Sequence, residues 1–120
     1  MITVTVERNP KGKIIRFTVK GHAGYDEAGR DIICAAASAT SYTAIGWFEE
    51  KYNPEGDEKK RSFTEKDGLI RWKRPEPDKK ADDQADNESV TADDAVLEAM
   101  LIGFKQIEYS YGKKYLVVKD

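Results

Sequence analysis

Apolar and polar residues alternate with period two at the start of the chain: Ile2, Val4 and Val6 interleave with Thr3, Thr5 and Glu7. This is the pattern of a strand with one buried face. Ile15, Phe17 and Val19 repeat it against Arg16, Thr18 and Lys20, with Asn9-Pro10-Lys11-Gly12 in between. Proline second and glycine fourth suit a type I turn, which makes the two strands a hairpin. The period then lengthens. From Asp31 to about Tyr52, residues Ile33, Ala36, Ala37, Ala44, Trp47 and Phe48 fall at helical spacing, with Asp31 as N-cap. Thr40, Thr43 and Gly46 make this helix intrinsically weak, so packing on a sheet must hold it. Asn53-Pro54-Glu55-Gly56 stops it.

Asp67-Gly68, between RSFTEK and LIRWKR, predicts a second hairpin. From Pro75 to about Val90 the chain is charged and nearly without large apolar groups, which predicts a mobile surface excursion. Thr91 is the expected N-cap of a second helix, with Asp93 and Asp94 favouring its positive end. Val96, Leu97, Met100, Leu101, Phe104 and Ile107 form its apolar face. Gly112 is the expected C-terminal cap, and Tyr115 to Val118 a final buried strand. The order is β-β-α-β-β-α-β. It predicts an α+β fold in one domain over residues 1–120, a mixed β-sheet of about five strands with two helices packed on it.

Composition narrows the function. Twenty Lys and Arg stand against 22 Asp and Glu, a formal charge of -2. A protein that binds by neutralising phosphates shows a basic excess, so no direct nucleic-acid partner is expected, although a local basic patch is compatible with these totals. No run is long enough to cross a membrane and the first residues do not form a signal peptide. One cysteine permits no internal disulfide, as in a reducing, cytoplasmic location. One Cys and one His cannot supply a four-ligand zinc site, so neither metal nor cofactor is expected.

The stretch GHAGYDEAGRDIICAAAS holds both of those residues, His22 and Cys34, around a loop with Gly21, Gly24 and Gly29. With Asp31 as cap, Cys34 is the third helical residue. Unpartnered N–H groups at a helix start stabilise a thiolate and can hold an oxyanion. His22 ends the second strand, which a sheet-packed helix can bring within reach of the sulfur. Asp31 and Ser38 share the helix face of Cys34. Asp31 either orients the imidazole or simply caps the helix. The competing reading treats Cys34, within the apolar run IICAAA, as a buried structural thiol.

This stretch resembles the active-site segment of the ribosomal-processing cysteine proteases, the Prp family. The pattern there is G-H-A, a glycine-bearing loop, then G-x-D-[IV]-[VI]-C-A-A-x-S. Gly21, His22, Ala23, Gly29, Asp31, Ile32, Ile33, Cys34, Ala35, Ala36 and Ser38 fit it. MITV, LEAMLIGFKQIE and YLVV also look like this family. Ile33 stands where valine is commoner, and the segment 75–90 is longer than the usual connection. The resemblance implies a homodimeric bacterial cysteine endopeptidase that removes a short N-terminal extension from the large-subunit ribosomal protein bL27. Cys34 would be nucleophile and His22 base. The loop with Gly21, Ala23, Gly24 and Gly29 would cover the substrate. By their place on the helix face of Cys34 rather than by resemblance, Asp31 and Ser38 are the candidates to support or orient the pair, Ser38 being otherwise a small helix-packing residue. The alternative is a non-catalytic ribosome-associated binding module.

Overall fold

The computed structural model describes residues 1–27, 29–75 and 87–120, the side chains of 87–90 excepted. Strands β1 (Ile2–Arg8) and β2 (Ile14–Lys20) precede helix α1 (Ile32–Tyr52). A 3-10 turn at Glu58–Lys60 leads to β3 (Phe63–Lys66) and β4 (Leu69–Lys73). Helix α2 (Asn87–Tyr111) and β5 (Leu116–Lys119) complete the chain. The sheet order is β3-β4-β2-β1-β5. Its pairs are antiparallel except β1 with β5, so the sheet is mixed, as the alternation of elements implied.

One face of the sheet makes the core. Ile2, Val4, Val6, Phe17, Val19, Trp72 and Leu116 are buried there against Ile33, Ala37, Ala44, Ile45 and Phe48 of α1 and Leu97, Met100, Leu101 and Phe104 of α2. Phe17 and Trp72 stack with centroids 5.2 Å apart, and Phe48 meets Trp72 at 4.8 Å. The helices approach closely where Gly103 faces Thr40: a Cβ on Gly103 would lie 3.1 Å from the Thr40 methyl.

Four expectations change. In β2 the register runs Glu7↔Arg16 and then Arg8↔Ile14, so Ile15 is the extra residue of a bulge. Ile14 is therefore buried, while Ile15 is only half-buried. Trp47, read as part of the apolar face, is 41% exposed, and Ile45 and Ser41 are buried instead. Asp93, read as a charge at a helix end, is 2% exposed. It accepts hydrogen bonds from Trp47 Nε1 at 2.9 Å, Lys51 Nζ at 2.8 Å and the Tyr52 hydroxyl, all on α1. Finally, α2 begins at Asn87 rather than beyond Thr91, because a mainly polar first turn carries no hydrophobic period. The expected excursion at 75–90 otherwise falls on residues 76–86, which lie outside the described ones.

Candidate active site

Helix α1 begins as its sequence requires. Asp31 has extended backbone (φ -76°, ψ 100°), and its Oδ1 accepts from the N–H groups of Ile33 and Cys34, both at 3.0 Å. Its Oδ2 accepts from Tyr25 N–H at 3.0 Å and so ties the loop to the helix start. Burial works to raise the Asp31 pKa, but the N–H donors from Cys34, Tyr25, Asp26 and Ile33 outweigh it and hold the carboxyl below its ordinary range. Of the two roles open to Asp31, the structure shows the cap. The capped N–H groups of Ile33 and Cys34 are then not free to hold an oxyanion, contrary to expectation.

Cys34 is half-buried, and its Sγ accepts from the N–H of Ala23 at 3.4 Å. Ala23 is itself buried. Tyr25 stands edge-on against Tyr111 and Tyr115, with centroids at 5.8 and 5.3 Å, which anchors the middle of the loop to the end of α2.

His22 follows β2 through Gly21, whose φ of +104° suits glycine. A Cβ on Gly21 would also run into the Met1 carbonyl oxygen. Gly21 N–H donates to the Gly68 carbonyl at 2.8 Å, and the Met1 nitrogen donates to the His22 carbonyl. The imidazole lies over the β3–β4 turn: a Cβ on Gly68 would sit 2.8 Å from His22 Nε2, and Asp67 Oδ1 is 3.7 Å from the same nitrogen. The His22 side chain is 65% exposed.

Two hollows meet at these residues. One, of about 330 Å³, runs between α1 and the β3–β4 hairpin and is lined by His22, Cys34, Ser38, Tyr42, Asp67 and Gly68 among others. The second, of about 370 Å³, lies under the glycine loop beside Gly24, Gly29 and Asp31. The residues common to both are His22, Cys34 and Ser38. Ser38 is exposed one turn beyond Cys34. A further hollow of about 350 Å³ lies on the opposite sheet face, away from this chemistry. Asp67, Gly68 and Tyr42 are the site residues that sequence reasoning missed. Asp67-Gly68 was legible as a turn, but nothing in its spacing points to His22. Among the described residues, no group of three His, Cys, Asp or Glu side chains could hold a metal ion. None of the helices in those residues is long and apolar enough to cross a membrane.

The family model described as cysteine protease Prp matches residues 1–116. The ribosomal processing cysteine protease Prp of Staphylococcus aureus is 42% identical over 45 residues, 38% of this chain and 42% of that protein. Its namesake in Mycoplasma genitalium is 37% identical over 49 residues, 41% of this chain and 43% of that one. The match thus spans about two fifths of the length of these relatives. A crystal structure of the S. aureus essential ribosomal processing protease Prp, in complex with a covalently linked product peptide, has a TM-score of 0.69 at 24% identity. It covers 99% of this chain and 98% of that one, a likeness of fold.

Proposed function

This chain belongs to the cysteine protease Prp family, and from that premise we propose that it is a cysteine endopeptidase with Cys34 as nucleophile and His22 as base. The observation that carries the reading is the meeting of the two hollows at His22, Cys34 and Ser38. A peptide lying in the cleft between α1 and the β3–β4 hairpin has its carbonyl beside the sulfur and within reach of the imidazole.

The reaction is acyl transfer. His22 takes the proton of Cys34, and the thiolate attacks the peptide carbonyl carbon to form a tetrahedral oxyanion. Collapse breaks the C–N bond as His22 gives its proton to the leaving amine. Water, deprotonated by His22, then attacks the thioester and frees the acid and the thiol. Because Asp31 occupies the N–H groups of Ile33 and Cys34, the donor best placed for the oxyanion is the Ala23 N–H, already aimed at the sulfur. The loop that carries Ala23 closes over the substrate, with Gly24 and Gly29, both in positive φ and with nothing within 4 Å of a built Cβ, as its flexible points. Ser38 lines the cleft beside the nucleophile.

The substrate we assign is the N-terminal extension of ribosomal protein bL27, cut by a cytoplasmic homodimer. Its support is the naming of the relatives as ribosomal processing proteases, together with the fit of the active-site segment to that family. The test is cleavage of a peptide spanning the extension, read by mass spectrometry, with wild type, Cys34→Ala and His22→Ala. One cut by wild type and none by either variant is expected. An uncut peptide with the wild type, or full activity in Cys34→Ala, overturns the reading.

A further inference from the structure

Among the described residues, helices cover one face of the sheet and leave the other open. On that open face Thr3, Thr5 and Glu7 of β1 align with Lys20, Thr18 and Arg16 of β2, and these with Leu69, Arg71 and Lys73 of β4. The outer strands add Thr64 and Lys66 on one side and Val117 and Lys119 on the other. Among the described residues this face thus carries six cations, Arg16, Lys20, Lys66, Arg71, Lys73 and Lys119, and one anion, Glu7, all exposed. The chain as a whole has slightly more acids than bases, so the excess is segregated here. Arg16 and Lys73 stand directly opposite each other on adjacent strands, a like-charge pairing that costs stability. Glu7, 3.5 Å from Arg16, offsets it only in part. Arg61, beyond the sheet, joins Arg16, Arg71 and Lys73 around the hollow of about 350 Å³.

We propose that this open face binds the phosphate backbone of RNA. Strands about 4.8 Å apart spread the cations over about 19 Å from β3 to β5, a span for several phosphates in a row rather than one small anion. The guanidinium forks of Arg16 and Arg71 match phosphate oxygens, and the hydroxyls of Thr5, Thr18 and Thr64 between them are the donors a backbone contact uses. Recognition of an ordinary peptide takes apolar pockets or a free strand edge, and the apolar side chains of this face, Leu69 and Val117, are both half-buried; an acidic peptide is the competitor that polyglutamate stands for in the test. A membrane surface takes apolar anchors as well as cations, which the face likewise does not offer. The choice of RNA rests on the proposed function, because an enzyme that works on a ribosomal protein works beside RNA.

The test is fluorescence anisotropy of a labelled short single-stranded RNA of mixed sequence, titrated over a range of salt without peptide substrate. With six cations engaged, the slope of log K against log salt reaches about -4, and neutralising three cations removes about 2 of it. Arg16→Gln/Arg71→Gln/Lys73→Gln is expected to show that loss. Lys11→Gln/Lys105→Gln/Lys113→Gln, the same change of charge on exposed positions elsewhere, is expected to keep the slope. Should the first triple variant fail to fold, Arg71→Gln alone removes about 0.7. Binding too weak to measure in low salt, or equal loss in both triple variants, overturns the proposal. So does equal or tighter binding of polyglutamate, duplex DNA or phosphatidylserine vesicles. RNA binding with an uncut peptide leaves this surface standing and defeats the protease reading alone.

Discussion

Replacing Gly68 by alanine separates the placing of His22 from the stability of the fold. The new Cβ would lie 2.8 Å from His22 Nε2, 3.4 Å from Cδ2 and 3.5 Å from Cε1. Contact of carbon with a heavy atom is comfortable near 3.5 Å, so the ring or the turn must retreat by about 0.7 Å. The turn is the stiffer partner. Gly68 accepts a hydrogen bond from Gly21 at 2.8 Å, and the pair Lys66↔Leu69 closes the hairpin around it. The imidazole is largely exposed and free to swing. The ring therefore moves, and a misplacement approaching 1 Å at a reacting group costs up to about 100-fold in rate.

Alanine at residue 68 also meets a left-handed backbone, φ +69°, which costs about 1–2 kcal/mol whatever the neighbours. Gly56 has the same φ and nothing within 4 Å of a built Cβ, so Gly56→Ala carries the strain without the clash. Both variants are expected to lose similar stability in thermal unfolding. Only Gly68→Ala should lose kcat on the peptide, by between about 10- and 100-fold. A kcat for Gly68→Ala within about threefold of that for Gly56→Ala would show that the turn does not position His22.

Asp31 offers a second contrast. Losing its cap costs about 1–2 kcal/mol in Asp31→Ala, and amide exchange should quicken in loop 21–30, which loses the tie at Tyr25. Asp31→Asn, which still caps, is expected to restore most stability and kcat; a kcat as low as in the alanine variant would point to orientation of His22 instead. Asp93→Ala leaves Trp47, Lys51 and Tyr52 without their shared acceptor. It should cost about 3 kcal/mol in urea unfolding, the low end for a broken buried pair because Lys51 stays partly in water; a loss below about 1 kcal/mol would refute the lock. The same carboxylate sets a pH response. Burial disfavours its charge, but hydrogen bonds from Lys51, Tyr52 and Trp47 outweigh that and bring its pKa below the ordinary 3.8. A depressed carboxyl stabilises fully above the ordinary value, and its contribution disappears as pH falls through the folded one. Wild-type stability should therefore drop below about pH 4 more steeply than that of Asp93→Asn; parallel curves would assign the acid response to other groups.

Much of the fold is legible because local chemistry decides it. Period two marks β1, a cap residue ahead of an apolar run marks α1, and Asp67-Gly68 marks the second hairpin. What is not legible depends on pairing. The bulge that buries Ile14 and lifts Ile15 follows from register against β1, which no single strand encodes. Trp47 and Asp93 each contradict their type, an exposed indole and a buried carboxylate, because they satisfy one another across the helix pair. A net charge sums over all faces, so the near-balanced total hides a sheet face that carries, among the described residues, six cations and one anion.

The candidate site divides the same way. His22, Cys34 and Asp31 stand close in sequence, with the residue types that nucleophile, base and cap require; the cap is observed, and the other two roles rest on spacing and resemblance. Spacing did not reveal that the cap occupies the N–H groups expected to hold the oxyanion. Nor did it reveal what sets the imidazole. Sheet order explains this: β4 pairs with β2, so the turn that starts β4 comes to rest beside the residues that follow β2. The Cβ-less Gly68 leaves room for the ring there, and Asp67 faces its Nε2. The proposed dyad, written in one short stretch of sequence, thus depends for its geometry on a hairpin some forty residues downstream, and substitutions in that turn should lower activity by more than their cost in stability explains.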